Sequence, residues 1–133
     1  MNRMKQFFVA LSVPVLFSTL LVFYSFAPKE VYPVVHIQGK VSGDFNAKDF
    51  STVETFSIQN GEKDCKISSY LMYYMRPGAD PVEFEGKGAV FTGFIKSATQ
   101  QAAEGYKYIF AEVNLQCGNE APKKVNGLSF TIR

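Results

Sequence analysis

An uninterrupted apolar run divides this chain of 133 residues into two unequal parts. Residues 7–26 contain no charged side chain, and twenty helical residues at about 1.5 Å each reach roughly 30 Å, the thickness of a bilayer's hydrocarbon core. Arg3 and Lys5 precede the run, and basic residues tend to stay on the cytoplasmic side of a membrane segment. The pattern therefore predicts a single-pass inner-membrane anchor within residues 1–27, with a cytoplasmic N-terminus, and a periplasmic domain at residues 28–133.

A cleaved signal peptide is the alternative interpretation of the same run. Ser25 and Ala27 offer a small-residue cleavage site, but Pro28 would follow the cut and the apolar run is longer than a signal peptide needs. We expect the retained anchor. Both interpretations place the domain outside the cytoplasm.

Charge and composition exclude some classes of partner. Once Arg3 and Lys5 are set aside, the chain has 12 basic residues against 12 acidic ones, so no nucleic-acid partner is expected, since that would require a basic stripe. The chain contains 13 Phe and 7 Tyr, which supply an apolar core. About a hundred residues are enough for one domain that folds on its own.

Most of residues 28–133 show the alternation of polar and apolar residues that is typical of β-strands. Residues 65–75 are apolar on both faces in their second half, which predicts a central strand covered on both sides. The Asn60-Gly61 pair predicts a hairpin turn between the strands at residues 52–59 and 65–75. Further strands are expected at residues 34–38, 86–91, 106–117 and 125–132.

One helix is expected at residues 94–103, which lack alternation and end before Gly105. Residues 43–46 and 76–81 are expected to be turns. Together these elements predict a mostly β, antiparallel sandwich-like domain with one short helix. Its expected core residues are Val53, Phe56, Ile67, Leu71, Ile109, Val113, Leu128 and Phe130.

The two cysteines, Cys65 and Cys117, are expected to form a disulfide. The envelope permits oxidation, Cys65 opens one predicted strand, and Cys117 ends another. Each cysteine also shares its parity with inward residues, so antiparallel strands would bring the two thiols to one end of the domain. The alternative is a pair of buried free thiols.

No metal site and no catalytic site are expected. His36 is the single histidine, and no Cys-x-x-Cys or His-x-x-x-His motif accompanies it, so it is interpreted as a strand residue near the surface. Gly86, Gly88 and Gly93 resemble a glycine-rich loop, but no Lys-Ser/Thr pair follows them. We therefore expect neither an enzyme nor a cofactor.

The tyrosines of the predicted strands leave a second class of function open. They could form a platform for a sugar or a peptide, although aromatic residues on strands more often pack in a core or across strands. The five residues concerned are Tyr70, Tyr73, Tyr74, Tyr106 and Tyr108.

From residue 42 onward the order of features resembles the C-terminal domain of the gliding-motility protein GldM, a component of the type IX secretion machinery. The resemblance is carried by FSTVETFSI at residues 50–58, by KSATQQAAEG at 96–105 leading into YIFAEV at 108–113, and by LSFTI at 128–132. It implies a trans-envelope protein with one membrane helix and a β-domain that binds other envelope proteins.

The chain departs from that family in two ways. It has one predicted exported domain where the family has several, and its apolar run lacks an ionisable residue with which a motor helix could engage a proton-conducting partner. We therefore expect a membrane-anchored periplasmic protein-interaction domain, accessory to or paralogous with the motility and secretion core, whose partners are envelope proteins. The alternative is a secreted β-sandwich that binds a sugar or a peptide.

Overall fold

The computed structural model describes residues 32–133, and the membrane segment expected in residues 1–27 lies outside them. Neither helix within the described residues has the length and apolarity that crossing a bilayer requires. This part of the chain is mostly β, as the alternating segments predict. In order, its elements are β1 Val34–His36, β2 Ser42–Phe45, α1 Ala47–Ser51, β3 Ser57–Gln59, β4 Cys65–Met75, β5 Val82–Lys87, α2 Gly93–Gln100, β6 Lys107–Cys117, β7 Lys123–Lys124 and β8 Leu128–Ile132.

The larger sheet is mixed and has the strand order β2-β8-β6-β4-β5, with β7 also paired to β6. Its neighbours are antiparallel except β2 and β8, which run parallel, and β1 pairs with β3 in a separate small sheet. The sandwich-like β architecture is confirmed, but the expectation of a wholly antiparallel domain is wrong. Gly43 and Asp44 favour a turn by composition, yet an edge strand needs a partner on only one side and can accommodate them.

Helix α1 is an element that the alternation did not predict. The Asn46 side chain caps it, because Oδ1 accepts the N–H of Lys48 at 2.8 Å. Phe50 is completely buried, so packing rather than length stabilises this helix of five residues. Helix α2 confirms the predicted helix near residues 94–103, although it ends earlier, at Gln100.

The predicted hairpin between residues 52–59 and 65–75 does not form. Thr52 is the C-cap of α1, and its N–H donates to the carbonyl of Asp49 at 3.2 Å. The first residue of the expected strand therefore belongs to the end of the helix. What remains is β3, which pairs with β1, while β4 pairs with β5 and β6. The segment around Asn60 therefore connects the two sheets.

The strand expected at residues 86–91 is also shifted along the chain. β5 ends at Lys87, and beyond it Val90 makes only a single bridge with Thr55. Gly88, with φ of 78°, ends the strand because this backbone conformation is open mainly to glycine.

Each strand of the β4–β6 pair has an irregular segment that changes which of its side chains face inward. The register shifts twice between Ile67 and Leu71, and Glu112 on β6 has φ of 50°. A slip of one residue moves the following side chains to the other face, so Ile67 and Val113 are buried while Leu71 and Ile109 are only half-buried. The prediction of Leu71 and Ile109 as core residues is wrong for this reason. The other six expected core residues are buried.

The core lies between one face of the larger sheet, called here the inner face, and a layer formed by α1, α2, β1 and β3. The ring of Phe56 makes edge contacts with Tyr70 and Phe110, with centroids 4.9 and 5.0 Å apart. The hydroxyl of Tyr108 donates to the carbonyl of Ala98 at 2.8 Å and so fixes α2 against β6. The start of α2 lies beside the edge strand β5, where Phe94 faces Phe84.

Candidate functional site

Strand β5 is the last strand of the larger sheet, so one of its backbone edges has no strand partner among residues 32–133. The N–H of Gly88 donates to the carbonyl of Ser68 at 3.4 Å, in the register that continues the β4–β5 ladder. Hydrogen-bonded and non-bonded pairs alternate along such a ladder. Glu83, Glu85 and Lys87 therefore direct their backbone N–H and C=O groups away from β4, towards the open edge.

A cleft of about 380 Å³ lies between this edge and the start of α2, and we call it the β5–α2 cleft. Four consecutive residues of β5, 84–87, line it, although successive side chains of a strand point to opposite faces. The cleft must therefore reach the strand edge with its outward backbone groups. The complete lining is Tyr70, Phe84, Glu85, Gly86, Lys87, Thr92, Gly93, Phe94 and Ile95.

Two phenylalanines form the apolar wall of the cleft. The rings of Phe84 and Phe94 are nearly parallel, at 7°, with centroids 5.9 Å apart. Phe94 is 79% exposed, so most of its ring is in water. Covering an exposed aromatic ring is favourable by roughly 25 cal/mol per Å² of apolar surface, which makes this wall a suitable contact for an apolar side chain of a ligand.

Tyr70 forms the inner end of the cleft. Its side chain is 2% exposed, and its ring lies over Gly86, where a Cβ would be 2.5 Å from the hydroxyl oxygen. Glycine at position 86 is thus required by the close approach of this ring. Burial raises the pKa of Tyr70 to about 12, so the hydroxyl is neutral at physiological pH and can donate a hydrogen bond.

The first turn of α2 presents backbone donors. Thr92 occupies the N-cap position, but its side chain makes no capping hydrogen bond. The first backbone bond runs from the N–H of Lys96 to the carbonyl of Thr92 at 3.3 Å, so the N–H groups of residues 93–95 have no acceptor within the helix. The first turn also contains no acidic side chain. Free N–H groups at the positive end of a helix dipole favour an anion.

The residues that line the cleft include one acidic and one basic residue, Glu85 and Lys87. Among residues 32–133, Lys87 takes part in none of the ion pairs, which join Lys123 to Glu120, Lys124 to Glu112 and Arg133 to Asp44. The two charges nearly cancel, and the helix end adds a partial positive charge. This balance suits a ligand with a single negative charge better than a polyanion.

The β5–α2 cleft offers several kinds of group that can bind a ligand. The lining contains no Cys, His or Ser side chain, so it offers no nucleophile paired with a histidine base. Within the described residues, no three His, Cys, Asp or Glu side chains come together as a metal ion would require. The cleft provides main-chain groups, the two hydroxyl-bearing residues Tyr70 and Thr92, and an apolar wall.

The Cys65–Cys117 disulfide is confirmed. The two cysteines are directly paired across β4 and β6, with Cα atoms 3.9 Å apart. Antiparallel neighbours bring the first residue of one strand opposite the last residue of the other, which is the arrangement that the strand ends predict. Neither cysteine lines the β5–α2 cleft.

The other candidate residues are dispersed. Nδ1 of His36 accepts the N–H of Gly39 at 2.9 Å and stabilises the turn after β1. The tyrosine platform, which was the alternative interpretation, does not form, because Tyr74 and Tyr108 are buried while Tyr73 lies on the opposite face of the sheet. Of the five tyrosines, Tyr70 alone lines the cleft.

A second apolar surface lies on the outer face of the larger sheet. Leu71 pairs with Ala111 and Tyr73 with Ile109, and with Met75 they form a half-buried stripe. None of these side chains belongs to the core cluster. The expectation that β4 is covered on both faces is therefore wrong within the described residues.

Sequence patterns did not identify the cleft residues as a site. Gly86 and Gly93 resemble only a phosphate-binding loop, Phe84 lies in none of the predicted elements, and Phe94 is only the first residue of the predicted helix. The sequence does carry one relevant signal: Phe84 and Phe94 flank a segment with glycines at 86, 88 and 93. The glycines indicate that one element ends and another begins, but they do not indicate that the two elements pack side by side.

Comparison of the chain with protein-family models and with curated proteins gives no match. The resemblance to the GldM family therefore stays a prediction, and the geometry of the cleft carries the functional argument.

Proposed function

We propose that this chain is a protein-interaction domain of the cell envelope that binds an extended segment of a partner protein at the open edge of β5. The observation that carries the proposal is the row of outward backbone groups at Glu85 and Lys87 inside a cleft with an apolar wall. Strand addition of this kind gains affinity from main-chain hydrogen bonds and specificity from pockets for alternate side chains.

The envelope location is part of the proposal, with residues 7–26 as a single-pass inner-membrane anchor and the domain in the periplasm. It is supported by the apolar run and by the disulfide, since disulfides persist in oxidising compartments. Mass spectrometry of the mature N-terminus tests it: a detergent-free, soluble chain that begins near Pro28 would contradict the anchor.

The resemblance to GldM makes subunits of the gliding and type IX secretion machinery the first partners to test, with this chain as an accessory protein or a paralogue. We propose binding without catalysis and without a cofactor. A sugar-binding role has less support, because a carbohydrate platform needs several exposed aromatic faces and Tyr70 is the single cleft tyrosine.

A proline at position 85 tests the proposed edge. The N–H of Glu85 points outward, so Glu85→Pro removes a donor needed by an added strand without removing a hydrogen bond to β4. Glu85→Ala is the matched control, because it removes the same side chain and keeps the N–H. The measurement is capture of displayed random peptides by the full chain in detergent.

We expect wild type and Glu85→Ala to enrich peptides and Glu85→Pro to enrich none, with similar circular dichroism spectra for all three. Equal enrichment by the well-folded proline variant would overturn the proposed edge.

A further inference from the structure

We infer that the bound segment ends inside the β5–α2 cleft, where its C-terminal carboxylate is held by the first turn of α2 and the hydroxyl of Tyr70. This inference rests on the proposed function, because the carboxylate belongs to the segment that pairs with β5. It adds a rule of recognition, namely that the partner is bound through its last residues.

The helix supplies the first set of donors. The N–H groups of residues 93–95 have no intrahelical acceptor, and the Thr92 hydroxyl, which usually caps such a helix, makes no capping bond. A carboxylate oxygen of a ligand can take the place that an N-cap Asp side chain takes in other helices. α2 has eight residues, enough for a helix dipole to add to these bonds.

Tyr70 supplies an independent reason to expect a ligand acceptor at this place. Its side chain is 2% exposed, and its hydroxyl lines the cleft without a hydrogen-bond partner in residues 32–133. No side-chain oxygen or nitrogen of residues 32–133 is both buried and unpaired, so the hydroxyl keeps contact with solvent, and a ligand acceptor can take the place of that solvent. The hydroxyl is a donor and a carboxylate is purely an acceptor, so the two match.

The charges favour a carboxylate over a phosphate group. Lys87 is the one basic residue of the lining, and its charge is balanced by that of Glu85. A phosphate dianion is usually bound by several basic side chains, whereas a carboxylate carries one negative charge. The apolar wall of Phe84 and Phe94 next to these donors predicts an apolar last side chain on the bound segment.

Peptide arrays on the full chain separate this inference from the proposed function. The probes are N-acetylated hexapeptides with randomised last three residues, made as free acids, as C-terminal amides, and as amides that end in Asp. We expect free acids with apolar last residues to bind about 10-fold more tightly than the matching amides, because a hydrogen bond to a charged group is lost.

Each other outcome overturns a defined statement. Equal binding of acids and amides would contradict the carboxylate site and leave strand addition at β5 intact. Binding of the Asp-terminated amides as tightly as the free acids would show that an acidic side chain, not a chain end, is recognised. No binding by any probe would contradict the proposed function itself.

Two pairs of variants test which groups of the cleft bind the carboxylate. Tyr70→Phe keeps the ring in place and should lower the affinity for free acids about 10-fold with no change for amides. Tyr73→Phe, on the outer face, is its control. Lys87→Gln should lower the affinity for the free-acid peptides. Lys96→Gln, at a residue outside the lining, should leave that affinity unchanged. An unchanged acid-to-amide ratio in Tyr70→Phe would remove the hydroxyl from the site.

Discussion

The two edge strands of the larger sheet are protected to different degrees. At β2, Nζ of Lys40 donates to the carbonyl of Asp44 at 3.0 Å and lies 4.5 Å from the centre of the Phe45 ring, and Arg133 pairs with the Asp44 carboxylate at 2.7 Å. At β5, no described side chain bonds the outward backbone groups of Glu85. Sheets commonly protect their edges against added strands, so the unprotected edge is the one suited to binding.

The difference shows that protection of an edge is a local matter of a few side chains. β2 is short and contains Gly43, yet one lysine and one arginine cover it. β5 is longer and is bordered by a cleft instead. Four variants or conditions would sharpen this comparison or break it.

Loss of the disulfide should have the largest effect on stability and none on the contrast between the edges. Cys65 and Cys117 are 52 positions apart, and opening a loop of this length costs about 4 kcal/mol in the chain-entropy model. Urea unfolding of the double Ser variant measures the loss. The bond joins β4 to β6, so its loss should speed amide hydrogen exchange in all strands of the larger sheet. If exchange became faster in β5 alone, the protection of that edge would depend on the disulfide and not on local side chains.

A methyl group on the glycine of each edge should have unequal effects. Gly86→Ala would drive its Cβ into the ring of Tyr70 and should destabilise the fold by up to about 3 kcal/mol. Gly43→Ala meets no atom within 4 Å and should cost about 1 kcal/mol, from its φ of 114° alone. Urea titration of both variants gives the comparison. A Tyr70→Leu background should reduce the penalty at position 86 and leave that at 43 unchanged.

Alkaline pH should destabilise the domain through the tyrosine at the cleft. Burial raises the pKa of Tyr70 from 10.0 to about 12, so its contribution is fully present below pH 10 and is lost as the pH rises to about 12. The expected loss from this residue is on the order of 2 kcal/mol, at 1.36 kcal/mol for each unit of pKa. Thermal unfolding between pH 9 and 12 measures it. Tyr70→Phe should flatten part of this dependence, and an identical pH profile would contradict the assignment.

Removal of the lysine over β2 should have the smallest effect. Lys40→Ala loses an exposed hydrogen bond and a cation–ring contact, so the expected cost is below about 1 kcal/mol. Its informative readout is amide exchange, which should become faster in β2 and approach the rate in β5. If the exchange of β2 does not change, Lys40 is not what protects that edge.

The outline of the fold was predictable because local patterns carry it. Residues 106–117 alternate strongly and form β6, and the helix near residues 94–103 is present as α2. The disulfide was also predictable, since Cys65 and Cys117 stand at strand ends. The predictions fail where the alternation is extended past an irregularity in a strand. At Glu112 the backbone irregularity changes which residues face inward, so Ile109 is not in the core.

The candidate site was not predictable, because it lies between elements that the chain separates. Tyr70 comes from β4, Phe84 from β5 and Phe94 from α2, and no spacing in the sequence records that they meet. The short helix α1 was missed for a related reason, since a single buried Phe50 stabilises it against the rest of the core.

The sequence by itself determined that the chain is mostly β between residues 32 and 133, that an apolar run precedes this part, and that two cysteines stand at strand ends. These properties follow from alternation, composition and position, which act over a few residues. Only the tertiary structure decided which strands are neighbours, which edge is protected and where the cleft opens. Those choices depend on the packing of Phe56, Tyr70 and Phe110 in a common core, and the free energy of that packing exists only once distant segments are in contact.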